Sequence, residues 1–366
     1  MALKRVVFYI RSLGGRGAER VVALLASGFA RRGVDCIVAV EAEAQENAAF
    51  LEPHIRIVNL GTSHLRATLR LAQLLAAERP DISISTLGVR NLKHVIAAAL
   101  VLRLRRALLS YHGHVEAEPR FLDRLSNRLT PLTTRLAAAS VCVSNWMRVH
   151  VIRDLHGSAR RSVTLYNPVA IESARPAASA AELARRDLVI LAVGRLEPVK
   201  DYGLLIAAFA RLELKEARLV IIGEGPLRAA LEQQARELGV ADRVELPGYV
   251  AEPWSYFERA RLCAISSTSE SFSNVAVEAL AHGLPVVSTD CGGPAEIITA
   301  PELGTLVPVG DQAALARALG AALAAPGDPA PRVACAGAFS VERAVDAYQR
   351  LFEMVAAEAG GSLAKR

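Results

Sequence analysis

Two carboxylates eight residues apart, Glu270 and Glu278, stand in the stretch SSTSESFSNVAVEALAHGLPVV, Ser266 to Val287. It reads as a strand end, a loop bearing Glu270, a helix opening near Ser273, and a new strand beginning in GLPVV. Helical side chains lean toward the N-terminus, so Glu278 is expected to point back at the loop that carries Glu270. The backbone N–H groups of Phe272, Ser273 and Asn274 have no intrahelical partners, and a helix start of this kind attracts phosphate. Carboxylates in contact with phosphate would repel it. Beside a phosphate cradle they suit hydroxyls: a ribose on one side, a sugar on the other. That combination is what a nucleotide-sugar requires. A bare pair in a chain that is 22% charged is equally a loop acid and a solvated helix face, so its surroundings decide.

Arg195 and Lys200 follow a strand in GRLEPVKD. Two such cations suit a diphosphate, Arg as a planar fork and Lys as a point charge. They could instead pair with Glu197 and Asp201. No D-x-D pair of metal-binding acids occurs near any of these residues, so cations in place of a metal ion are expected. His112 ends a strand in SYHGH; His112 and His114 share a strand face, yet no third ligand is suggested, and a histidine capping a strand end is the plainer reading. Gly14, Gly15 and Gly17 make a tight strand-to-helix turn. A dinucleotide fingerprint would need a third glycine where Arg20 stands, although Glu41 lies where an NAD-binding acid would sit.

Six ordered blocks surround these residues: GGRGAERVV (Gly14 to Val22), YNPV (Tyr166 to Val169), VGRLEPVKDYGLLIAAFA (Val193 to Ala210), IIGEGPLR (Ile221 to Arg228), LPGYV (Leu246 to Val250) and TDCGGPAEII (Thr289 to Ile298). With the E-x7-E spacing they resemble the retaining GT-B glycosyltransferases, glycosyltransferase family 4 in particular. The resemblance implies an α/β chain of two Rossmann-like, doubly wound parallel-sheet domains facing across a cleft. It implies that Glu278 accepts hydrogen bonds from the ribose and that Glu270 holds the donor sugar. Phe272, Ser273, Asn274 and Val275 then approach the sugar and distal phosphate, while Arg195 and Lys200 stabilise charge on the departing nucleoside diphosphate. Gly223 and Tyr249 join the donor site, the base being read through main-chain atoms near Gly248 to Val250. Gly15 and Gly17 form the cleft wall touching donor phosphate and acceptor, and His112 matches a histidine beside the reacting sugar. The chain departs from the family at Ser271, where glycine is usual.

The elements that must position these residues alternate. In the first half LKRVVFYI, CIVAV, IRIVNL, ISIST, ALLSY and AASVCVS read as strands. Helical patterns cover 17–32, 63–78, 89–102 and 119–135. The second half restarts with LVILAV, ARLVIIG, RVELPG, RLCAIS and LPVVSTD, with helices over 202–212, 226–238, 253–259, 274–282 and 312–324. Pro226 suits a helix's first turn. Strands alternating with helices imply parallel, doubly wound sheets. Expected boundaries are an acceptor-side domain over 1–170, an Ala/Pro/Ser-rich linker over 171–186 and a nucleotide-sugar domain over 187–340. A closing helix over 341–357 resembles the family's terminal helix, which packs back on the first domain.

With 366 residues, 52% of them apolar, the chain suits a buried two-domain α/β protein. The longest apolar run is Val95 to Leu102, too short to span a bilayer, and the apolar run after Lys4 and Arg5 is too short for a secretory leader. Five scattered cysteines suggest reduced, mostly buried thiols; Cys291, in a Gly-rich loop, is expected to be accessible. Residues 1–180 carry 25 Lys and Arg against 13 Asp and Glu, a charge of +12, whereas residues 181–366 carry −6. Arg120, Arg124 and Arg128 fall on one helix side beside an apolar stripe of Phe121, Leu122, Leu125 and Leu129, and Arg103, Arg105 and Arg106 add a second cluster. An anionic membrane face fits such a surface; no nucleic-acid module or aromatic stacking platform is recognisable, though a solvated arginine face is the bland alternative.

The resemblance, taken with the basic first half, implies a metal-independent retaining glycosyltransferase using no cofactor, at the cytoplasmic face of a membrane. It would move a hexose or N-acetylhexosamine from a UDP-sugar to a lipid-linked saccharide in cell-surface polysaccharide or lipopolysaccharide assembly. A GDP-mannose donor and a catalytically silent nucleotide-sugar-binding subunit are the rivals.

Overall fold

A computed structural model describes residues 3–15, 17–44, 46–113, 120–177 and 179–361. The chain divides into two compact units, Met1–Val169 with Val341–Arg366, and Ala170–Ser340. The first contains β1 (Arg5–Ile10), α1 (Gly17–Arg31), β2 (Asp35–Val40), β3 (Arg56–Asn59), α2 (His64–Glu78), β4 (Ile82–Thr86) and α3 (Gly88–Leu100). It continues with β5 (Ala107–Tyr111), α4 (Arg120–Arg128), α5 (Thr130–Leu136), β6 (Ala139–Cys142), α6 (Asn145–Arg153) and β7 (Ser162–Thr164). All strand pairs are parallel, in the order β3-β2-β1-β4-β5-β6-β7. Parallel sheets are covered on both faces and so need unbroken apolar strands. RVVFYI in β1 is buried from its second residue onward, and ALLSY in β5 throughout.

The second unit holds α7 (Ala180–Arg185), β8 (Val189–Val193), α8 (Tyr202–Ala210), β9 (Arg218–Ile222), α9 (Arg228–Glu237), β10 (Val244–Gly248) and α10 (Trp254–Arg259). There follow β11 (Leu262–Ile265), α11 (Asn274–Ala281), β12 (Val286–Thr289), α12 (Pro294–Ile297), β13 (Gly304–Val307), α13 (Gln312–Ala324) and α14 (Ala330–Ala336). Its sheet runs β10-β9-β8-β11-β12-β13, again parallel. The chain then closes with α15 (Val341–Gly361), which returns to the first unit. Phe352 of α15 stacks on Phe29 of α1 with ring centroids 5.2 Å apart. Gly28 lets the two helices approach, since a Cβ there would stand 2.4 Å from Val345 Cγ2.

Several elements differ from the sequence expectation. The helix expected over 119–135 is two helices where it is described, α4 and α5. Pro131 has no N–H to give to the preceding turn and disfavours helical geometry before it. Pro226 lies in a turn before α9 and not in its first turn. Strands β7 and β13, of three and four residues, are too short to show a period. Helix α6 is opened by Ser144, whose hydroxyl accepts from Met147 N at 3.0 Å, and was not expected. Helix α7 lies within the stretch read as linker, with Leu183 fully buried. Phe121, read as part of an apolar stripe, is 71% exposed.

Candidate functional site

In an open α/β sheet, ligands bind beyond the carboxyl ends of the strands where the strand order reverses. In the second unit β8 lies between β9 and β11, so the reversal falls between the loops after β8 and β11. There Lys200 Nζ donates to Glu270 Oε1, joining two residues 70 positions apart. Ser267 Oγ donates to the same carboxylate oxygen at 2.9 Å. The two loops are tied by Thr268 N donating to Val199 O at 2.8 Å and by Ser266 Oγ donating to Lys200 O at 2.8 Å. Asp201 turns the chain after Lys200 with φ +44° and caps α8 by accepting from Leu204 N at 3.2 Å. Asp201 is therefore occupied with the helix and not with Lys200.

The Glu270 loop is fixed from its other side as well. Glu270 N donates to Cys291 O at 2.9 Å, and Gly293 N donates to Glu270 O at 2.7 Å. A glycine is needed for this approach: a Cβ on Gly293 would fall 2.5 Å from Phe272 Cα. Cys291 is buried, contrary to the expected access, and burial pushes its thiol up to about 11. Helix α11 then opens at Ser273, whose hydroxyl accepts from Ala276 N at 3.3 Å. That hydroxyl serves the helix end. Phe272 is buried with its ring 5.5 Å from Phe339, whereas Asn274 and Val275 are half-buried. Glu278 is 5% exposed on α11, which packs against β11; the Cys263 thiol of that strand is raised by burial and then by the Glu278 charge. His282, just after α11, packs against Phe257 and Trp254, with ring centroids 5.1 and 6.1 Å away.

The loops after β8 and β9 cross backbone to backbone. Gly223 has φ +147°, and a Cβ there would stand 1.9 Å from Gly194 O. Gly194 N donates to Ile222 O and Gly223 N to Gly248 O, both at 2.9 Å. Arg195, at the crossing, pairs with Glu197 at 2.6 Å and is 46% exposed, which is the local pairing that the sequence left open. Tyr249 is 49% exposed. Sequence reasoning missed Tyr202, Ser266 and Ser267. Tyr202 is buried, and its hydroxyl would stand 2.7 Å from a Cβ on Gly194. Burial raises its pKa and the Glu270 charge raises it further. The run of serines before Glu270 was the available signal for the other two.

In the first unit the order reverses between β1 and β4, and the glycine loop follows β1. Asn47 holds it by donating from Nδ2 to Gly14 O and from N to Leu13 O, leaving Gly15 and Gly17 exposed. Glu41 is buried and accepts from Lys93 Nζ at 2.5 Å and from the Tyr9 hydroxyl, with Arg90 Nε 3.6 Å away. An acid so engaged is committed to the core, which argues against the NAD-binding role that its position after β2 offered. His112 Nε2 lies 2.8 Å from Ser110 Oγ, and burial lowers its pKa to about 3, so the ring is neutral. His114 lies outside the described residues. Among the described residues no group of three or more His, Cys, Asp or Glu side chains gathers as a metal site.

Residues 15–173 match the model of Glycosyltransferase Family 4 and residues 176–334 that of Glycosyl transferases group 1. The lipopolysaccharide core biosynthesis glycosyltransferase LpsE of Rhizobium meliloti is 27% identical over 364 residues, covering 92% of this chain and 95% of LpsE. A Campylobacter jejuni enzyme, N-acetylgalactosamine-N,N'-diacetylbacillosaminyl-diphospho-undecaprenol 4-alpha-N-acetylgalactosaminyltransferase, is 36% identical over 163 residues, 44% of each chain. The chain thus aligns with under half of that relative. Among solved structures, Anabaena HepE in complex with UDP and glucose superposes with a TM-score of 0.75 at 20% identity, covering 99% of this chain and 100% of HepE. The two matched models account for nearly the whole chain and the fold agrees with them: the protein belongs to the GT-B glycosyltransferases of family 4.

Proposed function

We propose that this protein is a retaining, metal-independent glycosyltransferase. It moves a hexose or N-acetylhexosamine from a UDP-sugar to a lipid-linked saccharide in cell-surface polysaccharide or lipopolysaccharide assembly. The observation that carries the proposal is the Lys200–Glu270 pair at the reversal of the second sheet. An ammonium offers three hydrogens, so Lys200 can bond Glu270 and still reach a diphosphate oxygen. Glu270, held by Ser267 and Lys200, is set to accept from sugar hydroxyls, and Glu278 from the ribose. Phe272, Ser273, Asn274 and Val275 surround the sugar and distal phosphate. Gly223 and Tyr249 are assigned to the base and phosphate side; in the first unit, Gly15, Gly17 and the neutral His112 are the candidates for contact with donor phosphate and sugar. Arg195 would leave Glu197 for the diphosphate.

In the proposed step the bond from the anomeric carbon to the diphosphate oxygen breaks. The acceptor oxygen bonds that carbon on the same face, and its proton passes to the departing diphosphate. Lys200 and Arg195 stabilise the charge that develops there. The lipid-linked acceptor, of the class named for the Campylobacter relative, sets the reaction at a membrane, with the basic first half of the chain as its docking side and the cytoplasmic face as its place. No helix among the described residues is long and apolar enough to cross a membrane.

Thermal-shift measurements against UDP-, GDP- and dTDP-sugars test the donor, because a ligand of the folded state raises the melting point by mass action. A UDP-sugar is expected to give the largest shift; a GDP-mannose response in its place would transfer the reading to mannosyl transfer. Release of nucleoside diphosphate without acceptor and in excess EDTA separates an enzyme from a silent binding subunit, and absence of any release would end the catalytic reading. The anomeric proton of the product, read by NMR, tests retention.

A further inference from the structure

Tyr348 of α15 is fully buried, its ring edge-on to Phe352 with centroids 5.8 Å apart. Its hydroxyl makes no hydrogen bond among the described residues. A buried hydroxyl in that state costs free energy that a phenylalanine would not, so packing alone does not account for a tyrosine here. Burial raises its pKa, and the Ser110 hydroxyl of β5 works against that shift. The two hydroxyls therefore lie near each other, short of a closed hydrogen bond.

Ser110 is itself pinned. Its carbonyl accepts from Leu87 N at 3.0 Å and from Asn91 Nδ2 at 3.1 Å, and its Oγ lies 2.8 Å from His112 Nε2. The other ring nitrogen of His112, Nδ1, is buried with no partner among the described residues. Three polar groups thus run from α15 through β5 to an imidazole past the carboxyl end of that strand, the end of an open α/β sheet where ligands bind. A neutral imidazole carries one hydrogen, and the bond made at one nitrogen decides which nitrogen holds it. If Ser110 donates to Nε2, the hydrogen sits on Nδ1 and that nitrogen donates. If Ser110 accepts from Nε2, Nδ1 is bare and accepts. A phenol beside Ser110 favours the first arrangement, because a serine that accepts from Tyr348 keeps its own hydrogen for Nε2.

We propose that Tyr348 and Ser110 are positioning residues that hold His112 as its Nδ1–H tautomer, so that the ring donates a hydrogen bond to an oxygen of the bound sugar and does not act as a base. The role of the sugar rests on the function proposed above. The tautomer does not, since it belongs to the free chain. The closing helix α15 then has a task beyond covering α1: it supplies the first donor of the chain of hydrogen bonds that ends on His112.

Long-range proton–nitrogen NMR of the full chain, isotope-labelled at histidine, reads the tautomer directly, and comparison with His112→Gln assigns the ring. The wild-type ring is expected to be protonated at Nδ1 and bare at Nε2, and Tyr348→Phe and Ser110→Ala should each bring in the Nε2–H form. In parallel, kcat/KM for UDP-sugar turnover should fall about tenfold in Tyr348→Phe, on the scale of one hydrogen bond, with no loss of melting temperature. Ser110→Ala should cost about the same, and the double variant about tenfold and not about a hundredfold, because both act through one ring. A tyrosine serving only the fold would lower the melting temperature and leave the tautomer alone. That result, an Nε2–H ring in the wild type, or additive losses in the double variant would each overturn the proposal. Absence of turnover in the wild type would fail the transferase reading alone, with the tautomer still deciding this one.

Discussion

Adding one methyl group, in Gly293→Ala, isolates the geometry that holds Glu270. Gly293 has helical φ and ψ, so alanine is compatible with the backbone and the effect is steric. The new Cβ would stand 2.5 Å from Phe272 Cα, 2.6 Å from Phe272 N and 2.8 Å from Ser271 C. Carbon atoms prefer separations of about 3.5–4.0 Å, so the 270–272 segment must retreat by about 1 Å. The obstacle is backbone, and no rotamer change relieves it. Overpacking of this kind costs ~1–3 kcal/mol. The retreat also loosens the paired hydrogen bonds between Glu270 and the 291–293 loop. A catalytic group misplaced by about 1 Å can lose ~100-fold in rate, far more than the stability loss removes from the folded population. The assay pairs urea unfolding with initial rates of nucleoside diphosphate release. Gly337→Ala is the control, because a Cβ there meets nothing within 4 Å. If Gly293→Ala turns over within about threefold of wild type, on the scale where ~100-fold is expected, the loop does not fix the reacting geometry.

Lys200→Ala should lower turnover ~100-fold or more while shifting stability by no more than ~1 kcal/mol, as expected for a partly exposed pair; unchanged turnover would remove Lys200 from the chemistry. The pH response of stability follows from His94 and His282, both buried and both lowered by burial to about 4. Unfolding frees them to bind protons below their ordinary pKa of 6.5, so their contribution is complete above that pH and is lost as pH falls toward 4. At pH 5 each should cost ~2 kcal/mol relative to pH 7.5. Urea melts of wild type and His282→Gln test this, and an equal slope with pH in both would discount His282. Phe352→Ala should cost ~3–5 kcal/mol and lower the transition reported by Trp146 in the first unit more than that reported by Trp254 in the second; equal shifts would contradict independent cores.

The alternation of strand and helix was legible because parallel strands here are apolar runs separated by amphipathic stretches, and Gln312–Ala324 is a helix with the bounds that its pattern gave. Glu270 and Lys200 were each legible from local motifs. Their hydrogen bond was not, since it depends on which strands are neighbours, and Tyr202 was hidden by looking like ordinary core. Arg195 shows the converse: its spacing to Glu197 permits a local pair, and that pair forms. The buried Tyr9–Glu41–Lys93 cluster left no trace in sequence, because its members come from β1, the end of β2 and α3. Short edge strands and the break at Pro131 depend on pairing and on single backbone groups, which period-based reading averages away.

The return of α15 fixes an order of events during synthesis. Phe29 is made early, but the ring that covers it belongs to residue 352, and ribosomes add about 5–20 residues per second. The amino-terminal sheet therefore waits on the order of fifteen seconds to a minute with an aromatic seam uncovered, while the intervening unit emerges as one unbroken segment. A nascent chain stalled before Val341 would carry a finished insert within an unfinished host, and chaperones holding that seam would be what a ribosome-bound pull-down recovers.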